Sequence, residues 1–157
     1  GITKAYTTRV GHGPFPSELH DEIGANLAKW GGEVGATTGR NRRCGWLDTK
    51  ILKTSVQLNS INGIALTKLD VLDNLAKIKI CTNYSEINDL NFKVDNIEYI
   101  ELDGWESSTK GAKNLSDLPK NARKYIATIE EISDTPIVMI STGAARDEII
   151  CLKDIFK

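Results

Sequence analysis

A short polar segment between residues 35 and 45 carries the densest group of chemically capable side chains in the sequence. It reads Ala36-Thr37-Thr38-Gly39-Arg40-Asn41-Arg42-Arg43, with three arginines in four positions. A guanidinium is a planar fork of N–H donors that matches a carboxylate or a phosphate, and threonine hydroxyls and a glycine N–H add donors. The pattern favours an anion-binding loop. Two alternatives stay open: a solvent-exposed basic loop, or a local nucleic-acid patch, although no aromatic residue is interleaved for base stacking.

A second polar group, Lys68-Leu69-Asp70, directly follows a short apolar run that is typical of a buried strand. A carboxylate there can accept two parallel hydrogen bonds from the N1–H and N2–H₂ edge of guanine, a pair of donors that adenine lacks. Loss of the partner of one buried donor costs about 1–3 kcal/mol, which is the scale of the available selectivity. The stem of Lys68 could lie across the base. The alternative is an exposed turn without a ligand.

A third group, Ser141-Thr142-Gly143, follows another apolar run and could offer N–H groups to a ligand oxygen such as guanine O6. An ordinary turn is the alternative interpretation. His12 lies between two glycines and is typical of a surface histidine rather than a catalytic one. The sequence contains neither a Gly-x-x-x-x-Gly-Lys-Ser/Thr phosphate loop nor a Gly-x-Ser-x-Gly elbow.

Alternating strands and helices must position these groups. Apolar spacing and turn residues predict strands over 2–10, 63–67, 78–82, 97–102, 136–140 and 148–152, and helices over 18–30, with Ser17 as N-cap, 46–59 and 119–132. Residues 83–96 are predicted to be an exposed hairpin or excursion. This order favours an α/β architecture with a mixed, mostly parallel sheet flanked by helices, in which ligands bind beyond the carboxyl ends of strands. We therefore expect the three arginines and Asp70 to face one shared cleft.

Composition indicates an ordinary globular chain of 157 residues, either one domain or part of a larger one. Hydrophobic residues make up 40%, charged residues 26%, and the net charge of −1 argues against a generally basic nucleic-acid surface. No apolar run approaches the ~18 residues of a membrane span, and no signal peptide is recognisable. Three widely spaced cysteines and two histidines predict reduced thiols in a cytoplasmic protein and leave little for a histidine metal site.

Four ordered motifs together resemble the adenylosuccinate synthetase family, and the likeness runs over the whole chain. They are Thr8-Arg9-Val10-Gly11-His12-Gly13-Pro14-Phe15-Pro16-Ser17-Glu18-Leu19, Gly35-Ala36-Thr37-Thr38-Gly39-Arg40-Asn41-Arg42-Arg43-Cys44-Gly45-Trp46-Leu47-Asp48, Leu66-Thr67-Lys68-Leu69-Asp70-Val71-Leu72-Asp73 and Ile140-Ser141-Thr142-Gly143. The resemblance implies the fold of that family and a magnesium-dependent, GTP-using ligase of de novo AMP biosynthesis. GTP phosphorylates the 6-oxygen of IMP, and the amine of L-aspartate then displaces that phosphate to form adenylosuccinate. A cytoplasmic homodimer without nucleic-acid or membrane partners is also implied.

The resemblance also implies site residues for each substrate. The GTP-binding residues are Arg42, Lys68, Leu69, Asp70, Ser141, Thr142 and Gly143. IMP is contacted at the ribose by the backbone of Val10 and by Arg40. The aspartate-binding residues are Ala36, Thr37, Thr38, Gly39, Arg40, Asn41 and Arg42.

The chain also departs from the family pattern. The phosphate loop, the catalytic Asp and His, the magnesium ligands and most of the IMP pocket of the family belong to an N-terminal portion. Residues 1–157 are therefore expected to be a C-terminal portion that is inactive alone, consistent with a first residue, Gly1, that is followed at once by a predicted strand over 2–10. His12 occupies a variable position of its motif, and Ala144 stands where the family commonly has proline. A non-catalytic nucleotide- or anion-binding module is the competing hypothesis.

Overall fold

The computed structural model describes residues 1–35, 39–85 and 94–153. Within these ranges the strands are β1 Ile2–Lys4, β2 Thr7–Arg9, β3 Arg43–Gly45, β4 Leu47–Asp48, β5 Ile64–Thr67, β6 Lys77–Asn83, β7 Glu98–Asp103, β8 Ile137–Ser141 and β9 Ile149–Cys151. The helices are α1 Glu22–Trp30, α2 Thr49–Leu58 and α3 Lys120–Ser133, with short 3₁₀ turns at Leu69–Leu72 and Leu115–Asp117.

The main sheet has the strand order β1-β5-β8-β9. Strands β1, β5 and β8 are parallel, and β9 returns antiparallel to β8. Because parallel neighbours end at the same edge of a sheet, the residues after β5 and those after β8 lie side by side. The prediction of a mixed, mostly parallel sheet is thus confirmed, and so is the meeting of these two strand ends.

Two smaller strand groups complete the fold. Strands β4, β6 and β7 form a second sheet in which β4 and β6 are parallel and β6 and β7 antiparallel. Strands β2 and β3 form an antiparallel ribbon that pairs Thr7 with Gly45 and Arg9 with Arg43. The arginine-rich segment leads directly into β3 of this ribbon.

One apolar core connects the sheets and the helices. Helix α3 shows the typical i, i+4 spacing, since Tyr125 and Ile129 face the core and are at most 1% exposed. The hydroxyl of Tyr125 donates to the carbonyl of Ala5 at 2.6 Å, which ties this helix to the main sheet. Leu66 of β5 and Ile140 of β8 are fully buried in the same cluster.

The prediction of one continuous strand over 2–10 is wrong, because the structure divides this stretch into β1 and β2. The chain leaves the main sheet at Ala5 and Tyr6, which are both 1% exposed, and resumes as a strand in the ribbon. The hydroxyl of Tyr6 donates to the buried carboxylate of Glu33 at 2.5 Å. A run of β-branched residues contains no information about this partner, so strand propensity alone cannot locate the break.

Two predicted helices begin later than expected, and each has an aspartate N-cap. Helix α1 starts after Asp21, whose carboxylate accepts from Gly24 N–H at 3.0 Å, whereas Ser17 is buried and its carbonyl accepts from Trp46 N–H. Helix α2 starts after Asp48, which accepts from Ile51 N–H at 3.0 Å. Of the predicted excursion over 83–96, residues 86–93 lie outside the described ranges.

Candidate functional site

The turn after β5 places a half-buried carboxylate at the carboxyl edge of the main sheet. Lys68 has left-handed backbone angles (φ 59°, ψ 37°) and starts the 3₁₀ turn, which the fully buried Leu69 anchors in the core. Burial raises the pKa of Asp70, and the nearby carboxylates of Asp73 and Glu148 raise it further. A carboxylate whose charged form is disfavoured by burial and by neighbouring acids is suited to accept hydrogen bonds from a ligand.

The loop after β8 lies beside this turn, as the parallel pairing of β5 and β8 requires. Ser141 donates its hydroxyl to the carbonyl of Gly143 at 2.8 Å, and Thr142 is fully buried. The N–H of Thr142 donates to the carbonyl of Glu148 at 3.0 Å. This bond already uses one of the backbone donors that the sequence assigned to a ligand.

Glu148 is a carboxylate at this edge that sequence reasoning did not connect with the site. Its Oε2 accepts from the N–H of Ala145 at 2.8 Å, and Lys110 lies 3.7 Å from its Oε1. A Cβ on Gly143 would lie 2.1 Å from Oε2, so a larger residue there would displace the Glu148 carboxylate. Sequence position predicted only that Glu148 begins a strand, because nothing local indicates which loop its carboxylate contacts.

The arginine segment is closed at its base by backbone pairing. Val34 and Asn41 form an isolated antiparallel bridge, and the N–H of Gly35 donates to the carbonyl of Arg40 at 2.8 Å. Gly39 has a φ of 63°, a left-handed value that favours glycine. Arg40 and Asn41 are exposed, while Ala36, Thr37 and Thr38 lie outside the described residues.

Arg42 and Arg43 point to different partners. The Nη1 of Arg42 donates to Glu33 at 2.8 Å. Arg43 instead pairs with Glu18 through Nε at 2.7 Å and donates to the carbonyls of Gly11 and Gly13 at 3.0 Å. The expectation that three arginines face one cleft is therefore wrong for Arg43, which stabilises the glycine-rich turn after β2. Adjacent residues of an extended chain point to opposite faces, so this separation follows once the segment enters β3.

A buried carboxylate, Glu33, joins the arginine segment to the turn after β5. The side chain is 0% exposed, and Lys4, Tyr6, Arg42 and Lys68 all donate to it at 2.5–3.1 Å. Burial raises the pKa of Glu33, but these donated hydrogen bonds outweigh the effect and bring the value to about 2. Sequence reasoning missed Glu33, since an isolated acid after two glycines has no spacing that marks it.

Val10 directly follows the last paired residue of β2. The β2–β3 register ends at the pair of Arg9 with Arg43. Val10 is 64% exposed, so its backbone and side chain are accessible at this end of the ribbon. Val10, the predicted IMP contact, thus lies at the same end of the ribbon as the arginine segment.

A cavity of about 310 Å³ lies between β1, the ribbon and α2, apart from most of the predicted site residues. It shares Lys4, Tyr6 and Thr8 with the region around Glu33, but Arg42, Lys68 and Asp70 do not line it. Its other walls are chiefly apolar and include Leu47, Ile51, Leu52, Ile61 and Ile64. Because the guanine and arginine groups lie outside it, we place the candidate site at the strand ends.

Neither a metal cluster nor a membrane helix is found in the described ranges. Residues 1–35, 39–85 and 94–153 contain no group of three or more His, Cys, Asp or Glu side chains that could hold a metal ion. The same ranges hold no helix of the length and apolarity that crossing a membrane requires. No Mg²⁺ ligand is assigned to the described residues.

Comparison with known proteins identifies the family. The model of the family described as adenylosuccinate synthetase matches residues 1–150. The chain belongs to the adenylosuccinate synthetase family. The resemblance carried by the four motifs is thereby confirmed.

Individual adenylosuccinate synthetases match nearly the full chain. The protein of Pseudomonas fluorescens (strain Pf0-1) is 54% identical over 164 residues, covering 99% of this chain and 38% of its own length. That of a Marinomonas species is 50% identical, with coverage of 100% and 39%. A solved structure of fully ligated adenylosuccinate synthetase from Plasmodium falciparum superposes with a TM-score of 0.88 at 37% identity, covering 97% of this chain and 39% of that one. The chain thus spans somewhat over a third of the length of these relatives.

Proposed function

We propose that this chain is the C-terminal portion of a GTP-dependent ligase that joins IMP and L-aspartate to form adenylosuccinate, GDP and phosphate. One observation carries the proposal. Arg42 and Lys68 meet on a single carboxylate, and Asp70 lies two residues beyond Lys68, in a chain that is 54% identical to a synthetase over 99% of its length. The two predicted ligand loops are therefore neighbours.

The turn after β5 supplies the guanine-binding part. The carboxylate of Asp70 accepts from N1–H and N2–H₂ of the base, and the stem of Lys68 covers its face. Buried Leu69 keeps the turn against the core, so that the acid does not have to be ordered when the nucleotide binds. Ser141, Thr142 and Gly143 border the base from the neighbouring strand end.

The arginine segment supplies the anion-binding part. The guanidinium of Arg42 reaches the phosphates of GTP and the carboxylate of aspartate with the N–H groups that Glu33 does not use. Exposed Arg40 contacts aspartate and the IMP ribose, and the backbone of Val10 contacts that ribose as well. The segment Ala36-Thr37-Thr38-Gly39, with Asn41, closes over aspartate.

The remaining chemistry belongs to the rest of the ligase. Transfer of the γ-phosphoryl group of GTP to the 6-oxygen of IMP, and displacement of that phosphate by the amine of aspartate, require the family's catalytic Asp and His and Mg²⁺. We assign those groups to the N-terminal portion of the ligase. Assembly as a cytoplasmic homodimer belongs to the same proposal.

A chimera tests the activity. Residues 1–157 replace the aligned stretch of the Pseudomonas fluorescens relative, and adenylosuccinate formation is measured with GTP, IMP and aspartate. We expect turnover comparable with the unaltered relative. A chimera that binds GDP but forms no adenylosuccinate would instead favour the non-catalytic binding module.

Arg40→Leu in the chimera tests the aspartate assignment. Removal of a bidentate charged partner is expected to raise the KM for aspartate by about 10–100-fold, with a smaller change in the KM for GTP. Steady-state kinetics with each substrate varied in turn give the comparison. A defect confined to GTP would contradict the assignment of Arg40.

A further inference from the structure

We propose that Glu33 is a positioning residue that holds the arginine segment and the turn after β5 in one geometry, because its carboxylate binds Arg42 and Lys68 at the same time. This inference deepens the proposed function, since it assigns a role between two of its ligand loops. The link between the two loops through Glu33 rests on contacts within the protein that do not depend on a ligand.

Each carboxylate oxygen of Glu33 accepts a hydrogen bond from one of the two loops. Oε2 accepts from Arg42 Nη1 at 2.8 Å, and Oε1 accepts from Lys68 Nζ at 3.1 Å. Lys4 lies between them and donates to both oxygens, at 2.9 and 2.8 Å. A shift of either loop therefore changes the hydrogen bonds that hold the other.

The backbone reinforces this placement of Glu33. Its carbonyl accepts from the N–H of Arg42 at 2.9 Å, and its own N–H donates to the carbonyl of Ala28 at 2.8 Å in helix α1. Lys68 also donates to the carbonyl of Gly31, two residues before Glu33. The carboxylate is thus fixed to the end of a helix, at the base of the arginine segment.

The charges around Glu33 also favour a ligand-positioning role. Three cations, Lys4, Arg42 and Lys68, surround one carboxylate, so the cluster keeps a surplus of positive charge. Side-chain exposure is 0% for Glu33 but 30% for Arg42 and 35% for Lys68. The acid is hidden while the cations reach the surface, so an anion would meet guanidinium and ammonium groups already held in place.

A coupling experiment on the 157-residue chain tests the link without a ligand. The Cε and Nζ resonances of Lys68 are recorded by NMR in the wild type and in Arg42→Met. We expect Arg42→Met to shift the Lys68 signals in the wild type and to leave them unchanged in the Glu33→Gln background. Equal shifts in the two backgrounds, or none in the wild type, would overturn the proposal.

A matched control and a second measurement keep the test decisive if Glu33→Gln fails to fold. Glu18→Gln removes the carboxylate partner of Arg43 and should leave the Lys68 signals unchanged. Urea unfolding of Arg42→Met, Lys68→Met and the double variant needs no change at Glu33. Since the two cations bind the two oxygens of one carboxylate, their effects should be non-additive; strict additivity would contradict the shared carboxylate.

Nucleotide binding then separates the positioning role from a purely structural one. GDP is titrated into the chain by calorimetry, and Glu33→Gln is expected to weaken GDP about tenfold by releasing Lys68, while Glu18→Gln leaves it unchanged. A folded Glu33→Gln chain with unaltered GDP affinity would refute the ligand-positioning role. If the wild type takes up no GDP, the proposed guanine site loses its support, whereas the NMR coupling still decides the link through Glu33.

Discussion

Glu33 and Asp70 are acids of restricted exposure whose surroundings move their pKa values in opposite directions. Burial raises the pKa of both carboxylates, but four side chains donate hydrogen bonds to Glu33 and reverse the effect. Asp70 has acidic neighbours in Asp73 and Glu148, so its pKa stays raised. A satisfied acid holds structure together, whereas an acid short of donors is suited to accept them from a ligand.

Asp70→Asn in the chimera tests base recognition. An amide can accept at one atom and donate at the other, so it no longer matches the paired donors of guanine but matches xanthine, whose base carries a carbonyl where guanine has an amino group. We expect GTP to lose about 10–100-fold in kcat/KM and xanthosine triphosphate to gain. Competition kinetics with the two nucleotides measure the preference, and an unchanged preference would count against Asp70.

Glu33 also predicts a pH dependence of stability. Its pKa falls from 4.5 to about 2 on folding, so its contribution is fully present above the unfolded value and is lost as the pH falls toward 2. The contribution is on the order of 3 kcal/mol. Urea unfolding between about pH 5 and pH 3 should show a shallower decline for Glu33→Gln than for the wild type. Glu106→Gln, at an exposed carboxylate, is the matched control for the removal of one acidic group.

At the level of elements, a second buried carboxylate, Asp73, holds the turn after β5 in place. Asp73, three residues after Asp70, is 7% exposed. It accepts from Trp105 Nε1 at 2.8 Å, from Thr109 N–H at 2.7 Å and from the Thr109 hydroxyl at 2.9 Å. The loop after β7 is thereby fastened to the turn that carries Asp70.

Asp73→Ala should destabilise the chain, because it leaves the buried N–H donors of Trp105 and Thr109 without a partner. We expect the free energy of unfolding to fall by about 2–4 kcal/mol in urea titrations. Asp103→Ala removes an exposed partner of Lys77 on β7 and should leave stability almost unchanged. Similar losses in the two variants would contradict the role of Asp73.

At the level of the whole molecule, the main sheet and the ribbon bring together segments that are distant along the chain. The carboxylate of Glu33 binds the side chains of Lys4, Arg42 and Lys68, which lie up to 64 positions apart in the sequence. Parallel strands β1 and β5 place Lys4 beside Thr67, directly before Lys68. The candidate site is therefore a product of sheet topology rather than of any single motif.

The isolated chain is expected to form no adenylosuccinate. It spans about 38% of the length of its relatives, and the family's phosphate loop is absent from its sequence. Mass-spectrometric detection of adenylosuccinate after incubation with GTP, IMP, aspartate and Mg²⁺ checks this, with the chimera as positive control. Product formation by the 157-residue chain alone would contradict the proposed division of the catalytic groups.

Sequence alone determined the family, the mixed α/β class and most elements, because motif order, apolar periodicity and turn residues are local properties of the chain. Helix α3 and strand β8 came out within one residue of their predicted bounds. Tertiary structure decided the break at Ala5 and Tyr6, the separation of Arg42 from Arg43, and the roles of Glu33 and Glu148. Each of these depends on a partner far away in sequence, and a buried carboxylate is stable only where the fold delivers donors to it from several elements.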